Sequence, residues 1–140
     1  MIKIQQIDFD VGVEYNKLTD ANPTDGAVVF FVGLVRDFNQ GHEITGMTLE
    51  HYPQMAEKQL AAIVDEAKSK WQLGRVSVIH RVGNLQVNDQ IVFVGVSSQH
   101  REQAFQAASY IMDYLKTRVP IWKKETTNQG TRWVEAGIKS

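Results

Sequence analysis

Ile91-Val-Phe-Val-Gly-Val96, followed by Ser97-Ser98-Gln99-His100-Arg101 and by the stripe Ala104, Ala108, Ile111 and Leu115, is the stretch whose reading decides the fold. Six apolar residues in a row, mostly β-branched, suit a strand covered on both faces. The apolar spacing then changes to three and four, which is a helix laid back over that strand. Pro120 stops it, because proline disfavours helical backbone in the residue ahead of it.

Downstream of that stop, Ile121 to Thr127 reads as a strand, Asn128-Gln-Gly130 as a turn and Arg132-Trp-Val134 as a last short strand. Upstream, Asn88-Asp89 marks a turn, and Val76, Val78, His80 and Val82 alternate along another strand. A helix from near Pro53 carries Ala56, Leu60, Ile63, Ala67 and Trp71 on one face. Glu57, Lys58, Asp65, Glu66 and Lys68 supply its solvated face, and Gly74 follows its end. Glu43 to Tyr52 reads as a strand with Met47, Leu49 and His51 on one side, and Asp37 to Gly41 as a loop. Gly26 to Val35 is almost uniformly apolar and is expected to be covered on both faces, with Arg36 ending it. The turn-rich stretch Thr19 to Gly26 precedes it, and Ile2, Ile4 and Ile7 with a short helix over Val11 to Leu18 open the chain. Strands and two long helices interleave without strict βαβ regularity, so the expected class is α+β with a mixed sheet.

The chain has 140 residues, 43% of them hydrophobic, which suits one domain spanning 1–140. Fifteen Lys and Arg against sixteen Asp and Glu leave a formal net charge of -1. No global field holds a nucleic acid, so an anion site must be local. Cysteine is absent, which removes disulfides, thiolate metal sites, cysteine nucleophiles and a persulfide carried on this chain. Sulfur, if handled, is brought by another molecule. The start MIKIQQIDFD lacks the features of a secretion signal, and no apolar run approaches the ~18 residues of a membrane span, so a soluble cytoplasmic protein is expected.

Common nucleotide, zincin and hydrolase motifs are missing: there is no GxGxxG, GxxxxGK[ST], HExxH or GxSxG. His42, His51, His80 and His100 show no metal-ligand spacing, and core or surface roles account for them without a metal. Two basic features remain. His100 and Arg101 stand at a helix start, where the dipole disfavours cations. Either they join free backbone N–H groups in an anion site, or both extend into solvent. Lys116, Arg118, Lys123 and Lys124 lie between Asp113 and Glu125 with no acid among them. The Pro120 turn brings Lys116 and Lys123 near each other, or else Lys116 complements the helix dipole and Lys123 is a solvated strand residue. If the amines converge with Arg36 or Arg101, repulsion and partial burial should lower a lysine pKa toward a value useful for proton transfer.

Four ordered segments, Leu49-Glu-His-Tyr-Pro53, Gly74-Arg-Val-Ser-Val-Ile-His-Arg-Val-Gly83, Ile91 to Val96 and Met112-Asp-Tyr-Leu-Lys-Thr-Arg118, resemble the large, catalytic subunits of molybdopterin synthase. The resemblance spans nearly the whole chain. It implies an α/β hammerhead-type fold and a homodimer within a heterotetramer, each large subunit binding a small ubiquitin-like sulfur carrier that ends in a Gly-Gly thiocarboxylate. The implied reaction transfers sulfur to cyclic pyranopterin monophosphate, two transfers giving the dithiolene of molybdopterin, with no cofactor. Residue by residue, it makes Lys116 and Lys123 catalytic. Leu34, Val35, Arg36, His100, Arg101, Lys124 and Glu125 become substrate-binding positions. The sequence stops at Ser140, where members of that family often continue with a longer tail, so no role of such a tail is carried over. Two other classes compete: a binding module whose basic edge docks an acidic partner or phosphorylated metabolite without turnover, and a structural oligomer.

Overall fold

The computed structural model describes residues 1–39 and 41–134; Gln40, inside the expected 37–41 loop, and the tail beyond Val134 lie outside them. The elements run β1 (Ile2–Gln5), α1 (Val11–Thr19), β2 (Ala27–Leu34), β3 (Phe38–Asn39), β4 (His42–His51), α2 (Pro53–Lys70), β5 (Val76–Arg81), β6 (Gly83–Gln86), β7 (Gln90–Ser98), α3 (Arg101–Arg118), β8 (Ile121–Thr127) and β9 (Gly130–Val134). They build two sheets.

The first sheet has the order β1-β5-β7-β2. It is mixed, since β1 runs parallel to β5 while the other neighbours are antiparallel. Val92, Val94 and Val96 of β7 point into the large core with Ala104, Ala108, Ile111 and Leu115 of α3 and Leu60 and Ile63 of α2. Phe93 points the other way, with Phe9, Leu18 and Ile79, under α1. Coverage from both sides explains the unbroken apolar run of β7. It also overrides the alternation expected for β5, whose Val76 to His80 are all buried.

The same expectation fails for β2. This strand ends the sheet, and Phe30, Phe31 and Leu34 remain 44%, 45% and 47% exposed. Apolar composition cannot tell a central strand from an edge strand, and only the pairing order decides it.

The second sheet is antiparallel, β3-β4-β8-β9, with β6 on the other edge of β4. Two of its strands escape the sequence reading: β3 takes part of the expected 37–41 loop, and β6 lies in the segment before the Asn88-Asp89 turn. On β8, Ile121, Lys123 and Glu125 lie opposite His51, Leu49 and Met47 of β4 and share their inward face, while Trp122 and Lys124 take the outer one. No helix among the described residues is long and apolar enough to cross a membrane.

Candidate active site

The site forms where the C-terminus of α3, the end of β2 and the inward face of β8 meet. At the turn, Val119 is buried, Ile121 N–H donates to the Val119 carbonyl at 2.8 Å, and Tyr52 N–H donates to the Pro120 carbonyl at 3.2 Å. That anchors the reversal to the end of β4. Lys116 is exposed in the last turn of α3 beside buried Leu115, and Lys123 is half-buried on β8.

Arg36 is exposed, but its backbone neighbours are fixed. Val35 N–H donates to the Asp89 carbonyl at 3.0 Å, the Val35 carbonyl accepts from Asn88 N–H at 2.8 Å, and the Asp37 carbonyl accepts from Ile44 N–H at 2.7 Å. The Val35 side chain is buried in the core, so it anchors Arg36 instead of facing a ligand; Leu34 is open to solvent.

The electrostatics tie these groups together. Burial pushes the Lys123 ammonium below its ordinary pKa of 10.5, Lys116 and then Arg36 add repulsion, and Glu125 acts in the opposite direction. His80, buried at the end of β5, is held neutral with a pKa of about 4, chiefly by burial, with Lys123 and His51 adding repulsion. Its Nδ1 lies 2.7 Å from the Arg81 carbonyl. A carbonyl only accepts, so Nδ1 carries the proton and Nε2 keeps its lone pair. A neutral imidazole beside Lys123 was not expected from the sequence, because His80 lies 43 positions from Lys123 with no spacing to link them.

Glu125 is 1% exposed, and both its oxygens are engaged: Oε2 accepts from Asn39 Nδ2 at 2.9 Å, and Oε1 from Arg132 Nε and Nη2 at 3.2 and 3.1 Å. Lys124 instead lies over the Trp133 ring on the outer face, 5.6 Å from its centre.

His100 and Arg101 are at the opposite end of α3. Fifteen helical residues, roughly 22 Å, separate Arg101 from Lys116. The expected grouping of His100 and Arg101 with Arg36 and the lysines therefore does not occur within one chain. They border a separate open recess of about 490 Å³ with Gly26, Ala27, Gln99, Glu102 and Gln103. Gln103 Oε1 is buried there without a hydrogen-bond partner among the described residues. His100 is the N-cap and makes no side-chain capping bond, and both His100 and Arg101 are exposed. Among the described residues, no group of three or more His, Asp or Glu is placed to hold a metal ion.

The sequence and the fold have counterparts among known proteins. A family model described as MoaE protein matches residues 4–118. The chain belongs to the MoaE protein family. The molybdopterin synthase catalytic subunit of Escherichia coli K12 is 59% identical over 128 residues, covering 91% of this chain and 85% of that relative. The one from Pseudomonas aeruginosa is 55% identical over 134 residues, covering 96% and 89%. Among solved structures, a MoaE protein of Burkholderia ambifaria superposes with a TM-score of 0.85 at 46% identity, covering all of this chain and 92% of that one. A molybdopterin synthase from Staphylococcus aureus does so with a TM-score of 0.86 at 39% identity, covering 94% and 95%. The hammerhead-type α+β fold of the family is thus the fold of this member.

Proposed function

We propose that this chain is the catalytic subunit of a cytoplasmic molybdopterin synthase. It takes sulfur from the C-terminal thiocarboxylate of a small ubiquitin-like carrier and places it on cyclic pyranopterin monophosphate, twice per dithiolene. The observation that carries this reading is the meeting of Lys116, Lys123 and Arg36 at one end of α3, with the Lys123 ammonium held below its ordinary pKa.

The chemistry makes negative charge repeatedly: a thiocarboxylate arrives, and its sulfur attacks a pterin side-chain carbon and displaces an oxygen substituent to leave a thioester link. Water then cleaves the acyl–sulfur bond, releasing the carrier as a carboxylate and leaving a thiolate on the pterin. Exposed Lys116 meets that charge with its ammonium group, while Lys123, held below its ordinary pKa, moves protons at the reacting carbon. Arg36 holds substrate anions, whereas Lys124, over Trp133 on the outer face of β8, stands apart from them. The missing cysteine fits, because the sulfur comes already activated on the carrier.

His100 and Arg101 enter the scheme through a second copy of the chain. Roughly 22 Å of helix keeps them from the lysines of their own subunit, so in a homodimer they would hold the phosphate end of a substrate whose reacting end lies against the partner's lysines.

With purified carrier thiocarboxylate and cyclic pterin, Lys116→Ala should lower dithiolene formation by about 100-fold or more while carrier binding stays within a few-fold of wild type. Near-normal turnover would refute the assignment.

A further inference from the structure

Glu125 lies two residues from Lys123 on the same inward face of β8, the position from which a carboxylate can capture an amine. Three contacts prevent it. Arg132, directly opposite Glu125 on β9, gives two nitrogens to Oε1, and Asn39 gives its amide to Oε2. Arg132 Nη2 also donates to the Asn39 carbonyl at 2.9 Å, which closes a ring joining β3, β8 and β9. Asn39 is 3% exposed and Glu125 1%, so the carboxylate and its amide partner are shielded from water, while the Arg132 side chain keeps 26% exposure. Asn39 is also three residues after Arg36, so the ring fixes the segment that carries the guanidinium.

We propose that Arg132 and Asn39 are positioning residues of the sulfur-transfer site: by saturating Glu125 they keep its carboxylate off the Lys123 amine and tie the Arg36 segment to β8. Glu125 thereby becomes the fulcrum of the site instead of a substrate contact. This rests on the synthase reading for its catalytic meaning, but not for its geometry. Lys123 feels Lys116 on α3, Arg36 after β2 and Glu125 on β8, and it acts on His80 on β5, which also feels His51 on β4. Only Glu125 is negative, so its pairing decides how much positive charge Lys123 tolerates.

The test follows the Lys123 signal in ¹³C-lysine NMR of the full chain, assigned by its loss in Lys123→Arg. Arg132→Leu frees Glu125 and should move the Lys123 titration up toward 10.5. Glu125→Gln removes the opposing charge and should move it down. Arg132→Lys should lie between Arg132→Leu and wild type, and Asn39→Ser should shift the titration upward if Arg132→Leu does not fold. In turnover, Arg132→Leu should lower kcat about tenfold, and KM for the pterin should rise with it because the Arg36 segment loses its tie to β9. Titrations that move together, or not at all, overturn the proposal, as does a rise in KM alone. The NMR arm needs no substrate: opposite shifts in a protein that makes no dithiolene would sink the synthase reading and leave the clamp standing.

Discussion

A buried imidazole with one nitrogen committed to a carbonyl has a fixed tautomer, and His80 shows what that does to stability. Its folded pKa of about 4 lies below the ordinary 6.5. Between those values the unfolded chain binds the extra proton and the folded chain does not, so stability is full above 6.5 and is lost as pH falls toward 4. The full swing is roughly 3 kcal/mol. Melting temperature followed from about pH 7 downward should therefore drop through this window. His80→Asn, which can still donate to the Arg81 carbonyl, should flatten the drop, and an unaltered slope would assign the acid loss to other groups. Lys123 has the same sign: its folded pKa is lowered, so the cost of burying its charge is present at neutral pH and is relieved as pH rises toward 10.5. That strain sits at the place where the proposed chemistry needs a proton to leave.

At the scale of elements, α1 rests on β7 through one missing side chain. A Cβ on Gly95 would stand 2.6 Å from Leu18 Cδ1 and 2.7 Å from Phe93 Cε1, closer than carbon atoms pack. Gly95→Ala should cost about 1–3 kcal/mol by overpacking, read as a lowered urea midpoint, and adding Leu18→Val should recover part of it. Full additivity of the two changes would show that they do not share this contact. The sequence exposed those elements whose periodicity runs long enough to be read: α2, α3, β7, β8 and the Pro120 reversal lie where their patterns put them. The two-residue β3 and four-residue β6 leave no periodic trace. The contacts from Asn39 to Glu125 and Arg132 cross 86 and 93 positions, so no local spacing signals them. Lys116 and Lys123 were legible as a basic pair because a turn joins them, whereas Arg36 stood only as an alternative to Arg101 until the resemblance singled it out, and the separation of His100 and Arg101 required the length of α3 to be laid out in space.

For the whole molecule, that separation makes the proposed pocket a property of two chains. If each pocket takes Lys116 from one subunit and Arg101 from the other, mixing inactive Lys116→Ala and Arg101→Ala proteins should restore activity. Half of the dimers are then mixed, each with one intact pocket, which gives roughly a quarter of wild-type turnover. Absence of recovery after confirmed subunit exchange would return both groups to a single chain. The edge strand β2 adds a practical consequence. Its outer edge has no pairing partner among the described residues, and it carries Phe30, Phe31 and Leu34 in the open beside Arg36. If a second copy covers that edge, specific activity should be a function of enzyme concentration. Rate plotted against protein should bend upward from the origin, and assays run too dilute would record a weak enzyme where there is only a dissociated one.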